Sequence, residues 1–184
     1  VPHFEKMLYD NALLVMSYID GYQVTHNPDF KRVIEETLNY IRRDMTSPKG
    51  AFYSATDADS INSKGHRDEG YFFTWTIDEL DHILGHKSSK VVQNYYSVTE
   101  QGNFEGRNIF HTPKSVEIVA KNLSISEEEL LVTLEKAKEK LYQARKLRPQ
   151  PIRDEKILTA WNGLMISAYA RAGRILQKDD YIAL

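Results

Sequence analysis

The chain of 184 residues contains no cysteine, and this absence excludes several kinds of site. A disulfide framework, a thiol nucleophile and a thiolate-bound zinc ion are all ruled out within these residues. The sequence also lacks an apolar run long enough to span a bilayer, and it has no secretory signal segment. We therefore expect no membrane partner and a cytoplasmic location.

Charge of a single sign is also scarce. The 24 lysine and arginine residues nearly balance the 26 aspartate and glutamate residues, giving a net charge of -2. Neither sign forms a long run, so nucleic acid is not an expected partner. The chain is 41% apolar and 27% charged, which is typical of a globular protein with a sizeable core.

Apolar residues recur at helical spacing along most of the chain and predict a series of helices. In residues 4–22 they cover more than one stripe, which indicates an inner helix buried on several sides. Pro28 opens a second helix with a single apolar face. The same pattern, with serine and threonine caps, predicts helices at residues 76–85, 88–96, 115–123, 126–147 and 159–176. The predicted fold class is all-α.

One segment departs from the helical pattern. Residues 51–55 and 71–76 are short, aromatic and strand-like, and a polar loop at residues 57–70 separates them. This predicts a small antiparallel β-hairpin insertion in a helical protein.

Four sequence runs carry a family resemblance. They are VPHFEKMLYDN at residues 1–11, GAFYSATDADS at 50–60, EGYFFTWT at 69–76 and DEKILTAWNGLM at 154–165. In this order they closely resemble the spermatogenesis-associated, thioredoxin-domain-containing protein family. The resemblance implies part of an (α/α)6 barrel of the six-hairpin glycosidase type, similar to the N-acylglucosamine 2-epimerases. It implies that residues 1–184 are a fragment of a single barrel domain. The family's thioredoxin-like domain is absent from this chain and is a candidate partner in the full-length protein.

The resemblance also implies a substrate class, a small-molecule carbohydrate, but not a reaction. Such barrels place their clefts where inner helices and connecting loops converge. One departure matters, because this chain has Leu164 and Ser167 where the epimerases carry a catalytic histidine and a glutamate. Glycoside hydrolysis is therefore preferred to sugar epimerisation or isomerisation. A non-catalytic helical scaffold or sugar-sensing module, acting with a thioredoxin-like domain, is the further alternative.

Paired carboxyl groups in the polar loop provide the hydrolysis hypothesis. Asp59 or Asp57 would act as base and Glu69 as acid, since glycoside hydrolysis uses two carboxyl groups, one of them kept protonated in a drier setting. The alternative is that these aspartates cap turns, which Asp does readily.

Neither a metal nor an organic cofactor is predicted. Asp57 and Asp59 open like a calcium-binding loop, but Ile61 and Asn62 stand where that loop needs an oxygen ligand and a glycine. His82 and His86 have zinc-like spacing, yet Gly85 is expected to end the helix between them.

A second group of polar residues surrounds the start of the first helix. His3, Glu5, Tyr9 and Asp10 were expected in an apolar setting, where polar groups need partners. His3 is a candidate general base, or else part of a hydrogen-bonded strut.

The third group lies at the start of the last long helix. Asp154, Lys156, Trp161 and Asn162 are candidate sugar-binding residues, because tryptophan stacks on a sugar ring while the others reach hydroxyls. A buried tryptophan beside a surface ion pair is the alternative. Tyr53 and Trp75, from the two aromatic runs, complete the predicted cleft.

Overall fold

The computed structural model describes residues 3–184, so Val1 and Pro2 of the first motif run lie outside the described residues. The chain forms two compact units: unit 1 is Val1–Ala58 with Pro151–Leu184, and unit 2 is Asp59–Gln150. The described helices are α1 (Leu8–Thr25), α2 (Pro28–Asp44), α3 (Ile77–Leu84), α4 (His86–Tyr95), α5 (Val116–Leu123), α6 (Glu127–Lys146), α7 (Thr159–Leu176) and α8 (Asp179–Ile182). The strands are β1 (Lys6–Met7), β2 (Ala55–Thr56), β3 (Asp59–Ile61), β4 (Arg67–Glu69) and β5 (Arg153–Asp154). The predicted class, helical with a small antiparallel strand set, is confirmed.

Unit 1 is built on α1, which packs against α2 and α7. The α1 helix buries one face, formed by Leu8, Ala12, Val15 and Ile19. On another side of the helix, Leu13 is 46% and Leu14 is 54% exposed. The expectation that this helix is buried on several sides is therefore wrong for the described chain.

The helices of unit 1 begin and end at the residues that the local sequence chemistry favours. The side chain of Asn27 accepts a hydrogen bond from the backbone N–H of Asp29 at 2.9 Å, and Pro28 occupies the first helical position of α2. His26 ends α1 in the left-handed region, with φ of 54°. The predicted second helix is confirmed.

Tyr169 of α7 links this helix to α2 in the core of unit 1. Tyr169 is buried and stacks on Phe52, with ring centroids 5.6 Å apart. Its hydroxyl donates to the Leu38 carbonyl at 2.6 Å, and burial raises the pKa of Tyr169 well above its usual range. The phenol therefore stays protonated and serves as a fixed donor.

A three-stranded antiparallel sheet lies beside the N-terminal ends of α1 and α7. Its strand order is β1-β2-β5, with Lys6 opposite Thr56 and Ala55 opposite Asp154. Met7 of β1 is also the N-cap residue of α1. We call this end of unit 1 the sheet end.

Unit 2 packs α3, α4, α5 and α6 around its own apolar core. The Thr76 side chain accepts from the Glu79 N–H at 3.2 Å, and the Glu79 carboxylate accepts from the Thr76 N–H at 2.9 Å. This reciprocal pair is the predicted capping box that starts α3. Gly85, with φ of 75°, ends α3 as predicted.

The β-hairpin exists, but its arms differ from the prediction. The strands β3 and β4 lie inside the stretch expected to be a loop, and they pair Asp59 with Glu69. Residues 71–73 form a turn, and Trp75 makes a single bridge to Asn108. Residues 55–56 instead join the sheet of unit 1. The aromatic composition misled the prediction, because these rings pack in cores without forming a strand.

Within residues 3–184, no helix has the length and apolar character needed to cross a membrane.

Candidate functional site

The sheet end of unit 1 collects predicted site residues from four separate parts of the chain. Tyr9 and Asp10 lie in the first turn of α1, and Trp161 and Asn162 lie in the first turn of α7. The others come from the strands and their flanks: His3, Glu5, Tyr53, Asp57, Asp154 and Lys156. The second and third groups of polar residues therefore lie at one end of unit 1, together with Tyr53 and Asp57.

Tyr9 and Trp161 form an aromatic pair that joins α1 to α7. Their ring centroids are 4.7 Å apart and the rings are tilted by 57°. Both side chains are half-buried, so each keeps part of its ring open to solvent. Exposed aromatic faces of this kind can stack on the apolar face of a ring-shaped ligand.

Asp154 and Lys156 form an ion pair at the surface of the sheet end. The Lys156 Nζ atom lies 3.0 Å from Asp154 Oδ2, and the Lys156 N–H donates to Asp154 Oδ1 at 3.2 Å. Hydrogen bonding from the Lys156 ammonium, followed by that from its backbone, lowers the pKa of Asp154 below its usual value. Asp154 is therefore an ionised acceptor, and Lys156, 71% exposed, keeps donors free.

Asn162 has a structural role that uses its amide fully. Its Oδ1 atom accepts from the Phe52 N–H at 2.8 Å, and its Nδ2 atom donates to the Phe52 carbonyl at 3.0 Å and the Leu158 carbonyl at 3.1 Å. The side chain is buried, so these bonds replace water. The structure therefore gives no support to Asn162 as a sugar-binding residue.

Tyr53 is covered by a residue that the sequence did not single out. The Arg153 guanidinium lies 4.3 Å from the centroid of the Tyr53 ring. Arg153 is held there by the Asp44 carbonyl at 3.1 Å and the Glu155 carboxylate at 2.6 Å. One face of Tyr53 is thus occupied by a cation–π contact. No local signal reveals Arg153, because Tyr53 lies far away in the sequence.

The polar group before α1 does not lie in the apolar setting that the sequence suggested. His3, Glu5 and Asp10 are exposed, and His3 and Glu5 precede the helix, which begins at Leu8. The His3 carbonyl accepts from Lys6 Nζ at 3.2 Å. Since exposed polar groups are solvated, they need no mutual partners, and the expectation of a buried cluster is wrong.

The carboxylates of the hydrolysis hypothesis are divided between the two units. Asp57 belongs to unit 1, where its backbone N–H donates to the Ile152 carbonyl at 2.8 Å. Asp59 and Glu69 face each other across the hairpin of unit 2. The Asp59 Oδ2 atom lies 2.8 Å from Arg67 Nε, and Glu69 is exposed. Neither hairpin carboxyl group lies in the dry setting that a general acid requires.

Trp75 is a core residue of unit 2. It is only 3% exposed, and the Arg148 guanidinium lies 3.9 Å from its ring centroid. No face of the ring remains for a ligand, so the structure contradicts the prediction of Trp75 as a substrate-binding residue. Its apolar surroundings come from α3 to α6, which the local sequence does not reveal.

A partly buried cluster of charged residues in unit 2 has no signal in the local sequence. Glu79 accepts from Arg107 at 2.6 Å and pairs with Arg148 at 3.1 Å. Arg148 also donates to the carbonyls of Tyr71, Phe72 and Thr74. Burial lowers the pKa of Arg148, and the neighbouring Glu79 carboxylate opposes this shift. This cluster holds the turn before α3.

Among residues 3–184, no three histidine, aspartate or glutamate side chains are arranged to hold a metal ion. His82 lies on α3 and His86 on α4, with Gly85 between the helices. His86 Nδ1 instead lies 3.6 Å from Asp81 Oδ2.

Comparison with known proteins gives relatives by sequence. The chain is 37% identical over 202 aligned residues to spermatogenesis-associated protein 20 of Homo sapiens, covering 99% of this chain and 26% of that protein. The corresponding protein of Rattus norvegicus is 35% identical, with the same coverage. An uncharacterized protein of Caenorhabditis elegans is 32% identical over 99% of this chain and 28% of its own length. The chain thus spans about a quarter of the length of the curated relatives it matches.

Other comparisons are less informative. No family model matches the chain. Among solved structures, a D-mannose isomerase covers 97% of this chain and 38% of its own, with 13% identity and a TM-score of 0.31. A TM-score this low does not establish the barrel, so the (α/α)6 assignment stays a prediction.

The relatives confirm the resemblance that the four motif runs predict. Essentially the whole chain is homologous to one segment, about a quarter, of spermatogenesis-associated protein 20.

Proposed function

We propose that the sheet end of unit 1 is a carbohydrate-binding surface. The observation that carries this proposal is the partly buried pair of Tyr9 and Trp161, whose rings are 4.7 Å apart at the N-terminal ends of α1 and α7. A sugar ring has an apolar face that stacks on an aromatic ring and hydroxyl groups at its edge. The resemblance to carbohydrate-processing barrels points to the same class of ligand.

The polar residues around this pair suit the hydroxyl groups of a sugar. Asp10 follows Tyr9 in α1, and its exposed carboxylate can accept two hydrogen bonds. The Asp154–Lys156 pair offers acceptors and donors held in place by their own ion pair. Because the groups come from β5 and both helices, the sugar would be oriented by rigid elements.

The carboxyl groups of the hairpin do not favour hydrolysis. A hydrolase needs one carboxyl group kept protonated, whereas Glu69 is exposed and Asp59 is paired with Arg67. Binding needs only the stacking surface and hydrogen-bonding groups, which the sheet end has. We therefore propose sugar recognition as the function of this chain, with no reaction assigned to its own residues.

Intrinsic fluorescence can test the proposal, because the two tryptophans lie in different units. In a Trp75→Phe background, Trp161 is the only tryptophan and reports on the sheet end. Titration with a panel of mono- and disaccharides should give a saturable change for at least one sugar. Tyr9→Leu should weaken that binding by about tenfold, as expected for the loss of one aromatic stacking contact.

Tyr18→Leu is the matched control. Tyr18 also lies on α1 but about 14 Å further along its axis, at 1.5 Å per residue, and it contacts Phe30 instead. Circular dichroism would confirm that both variants fold. Equal affinity of the two variants, or no saturable response to any sugar in the parent protein, would refute the proposal.

A further inference from the structure

Unit 2 contains a cavity of about 450 Å³ between α3, α4 and α6. This volume is in the range of about 300–1,000 Å³ that is typical of small-molecule sites. The lining residues come from these three helices and from the turn before α6: Leu84, Lys87, Ser88, Val91, Ile125, Glu129, Thr133, Lys136, Ala137, Glu139 and Lys140. None of them belongs to the sheet end.

The floor of the cavity is apolar. Leu84, Val91 and Ala137 are buried core residues, and Ile125 packs against the same core. Ala137 is the smallest of these residues and lines the cavity from the middle of α6. A ligand that fills this space must therefore present hydrocarbon to the floor.

The rim carries three lysines and two glutamates, so its net charge is positive. Lys87 lies 3.7 Å from Glu129, and the Glu139 carboxylate accepts from Gln143 at 2.7 Å. In the part of the chain that the structure describes, Lys136 and Lys140 have no ion-pair partner. They are four residues apart on one helix face, where like charges repel each other. An anion between them would relieve this repulsion.

We propose that this cavity binds a medium-chain fatty acid, with the hydrocarbon on the floor and the carboxylate between Lys136 and Lys140. The net positive charge of the rim favours an anion, and the apolar floor favours an acyl chain. The proposal does not depend on sugar binding, because it concerns other residues in the other unit.

Calorimetric titration of the 184-residue protein with decanoate, below its micelle concentration, provides the direct test. One molecule should bind per chain, and octanoate should bind more weakly, by about fourfold for each methylene lost from the buried chain. Decanol, which lacks the charge, should bind at least about tenfold more weakly, as expected when charged hydrogen bonds are lost. Acetate should show no binding.

Two variants separate the role of the rim from that of the floor. Lys136→Gln combined with Lys140→Gln should lower the affinity for decanoate to that for decanol. Lys138→Gln is the matched control, since Lys138 lies on the same helix but pairs with Glu135 at 2.8 Å and does not line the cavity. Ala137→Leu should fill the space and abolish binding, with circular dichroism to verify the fold.

Several results would overturn the proposal. Equal binding of decanol and decanoate would show that the lysines do not recognise the carboxylate. Unsaturable uptake of many molecules per chain would indicate detergent-like adsorption. Unchanged affinity in the double lysine variant, or in a folded Ala137→Leu variant, would place the ligand elsewhere.

Discussion

Replacing Asn162 with alanine tests the link between α7 and the segment that leads into β2. The side chain makes a two-way contact with the Phe52 backbone, at 2.8 Å to its N–H and 3.0 Å to its carbonyl. The third bond, to the Leu158 carbonyl, is less critical because that carbonyl also accepts from the Asn162 N–H at 2.9 Å. The substitution therefore leaves the two polar groups of Phe52 without their partner.

The expected cost is about 2–4 kcal/mol of unfolding free energy. An intramolecular hydrogen bond contributes about 1 kcal/mol net, and leaving a buried donor or acceptor unsatisfied costs about 1–3 kcal/mol. Two such groups are affected, while the better helix propensity of alanine returns about 0.5 kcal/mol. Asn162→Asp should be at least as damaging, because a carboxylate would face the Phe52 carbonyl oxygen.

Urea denaturation followed by Trp161 fluorescence in the Trp75→Phe background would measure this cost in unit 1. With a urea dependence of about 2 kcal/mol per molar, the midpoint should fall by about 1–2 M. Asn39→Ala is the control, because Asn39 is exposed on α2 and should leave the midpoint nearly unchanged. A midpoint for Asn162→Ala within error of this control would refute the structural role.

Three further predictions follow from the surface groups. Asp59→Asn should change the unfolding free energy by only about 0–1 kcal/mol, because the ion pair with Arg67 is solvent-exposed. Sugar binding should persist in this variant, whereas a loss of glycoside turnover would instead support a catalytic role for Asp59. Lys156 lowers the pKa of Asp154 in the folded chain. The ion pair therefore stabilises the fold at pH values above the ordinary pKa of a carboxyl group, and this stabilisation is lost as the pH falls through the lowered pKa of Asp154. NMR titration should show a higher Asp154 midpoint in Lys156→Gln; an unchanged midpoint would count against the ion pair. The exposed apolar side chains of α1 predict that the chain self-associates. Leu14→Glu should reduce this association in sedimentation experiments, since Leu14 is 54% exposed; association unaffected by this change would exclude this face.

Some features of the candidate site could be anticipated from the sequence alone. The motif runs contain Tyr9, Asp154, Lys156 and Trp161, and the structure brings all four to the sheet end. Asp154 and Lys156 are only two residues apart, so their pairing is a local event. Trp75 and Asn162 were misinterpreted for the opposite reason, since their partners come from distant segments.

The sequence by itself determined the helices, because their signals are local. The apolar spacing, the cap at Asn27, the Thr76–Glu79 capping box and Gly85 act within a few residues, and the structure has the helix ends close to those positions. Only the tertiary structure decided which polar and aromatic side chains remain available. Trp161 remains partly exposed, whereas Arg148 covers the Trp75 ring and the Phe52 backbone binds the Asn162 amide. These outcomes depend on contacts between residues far apart in the sequence, which form only when the chain is folded.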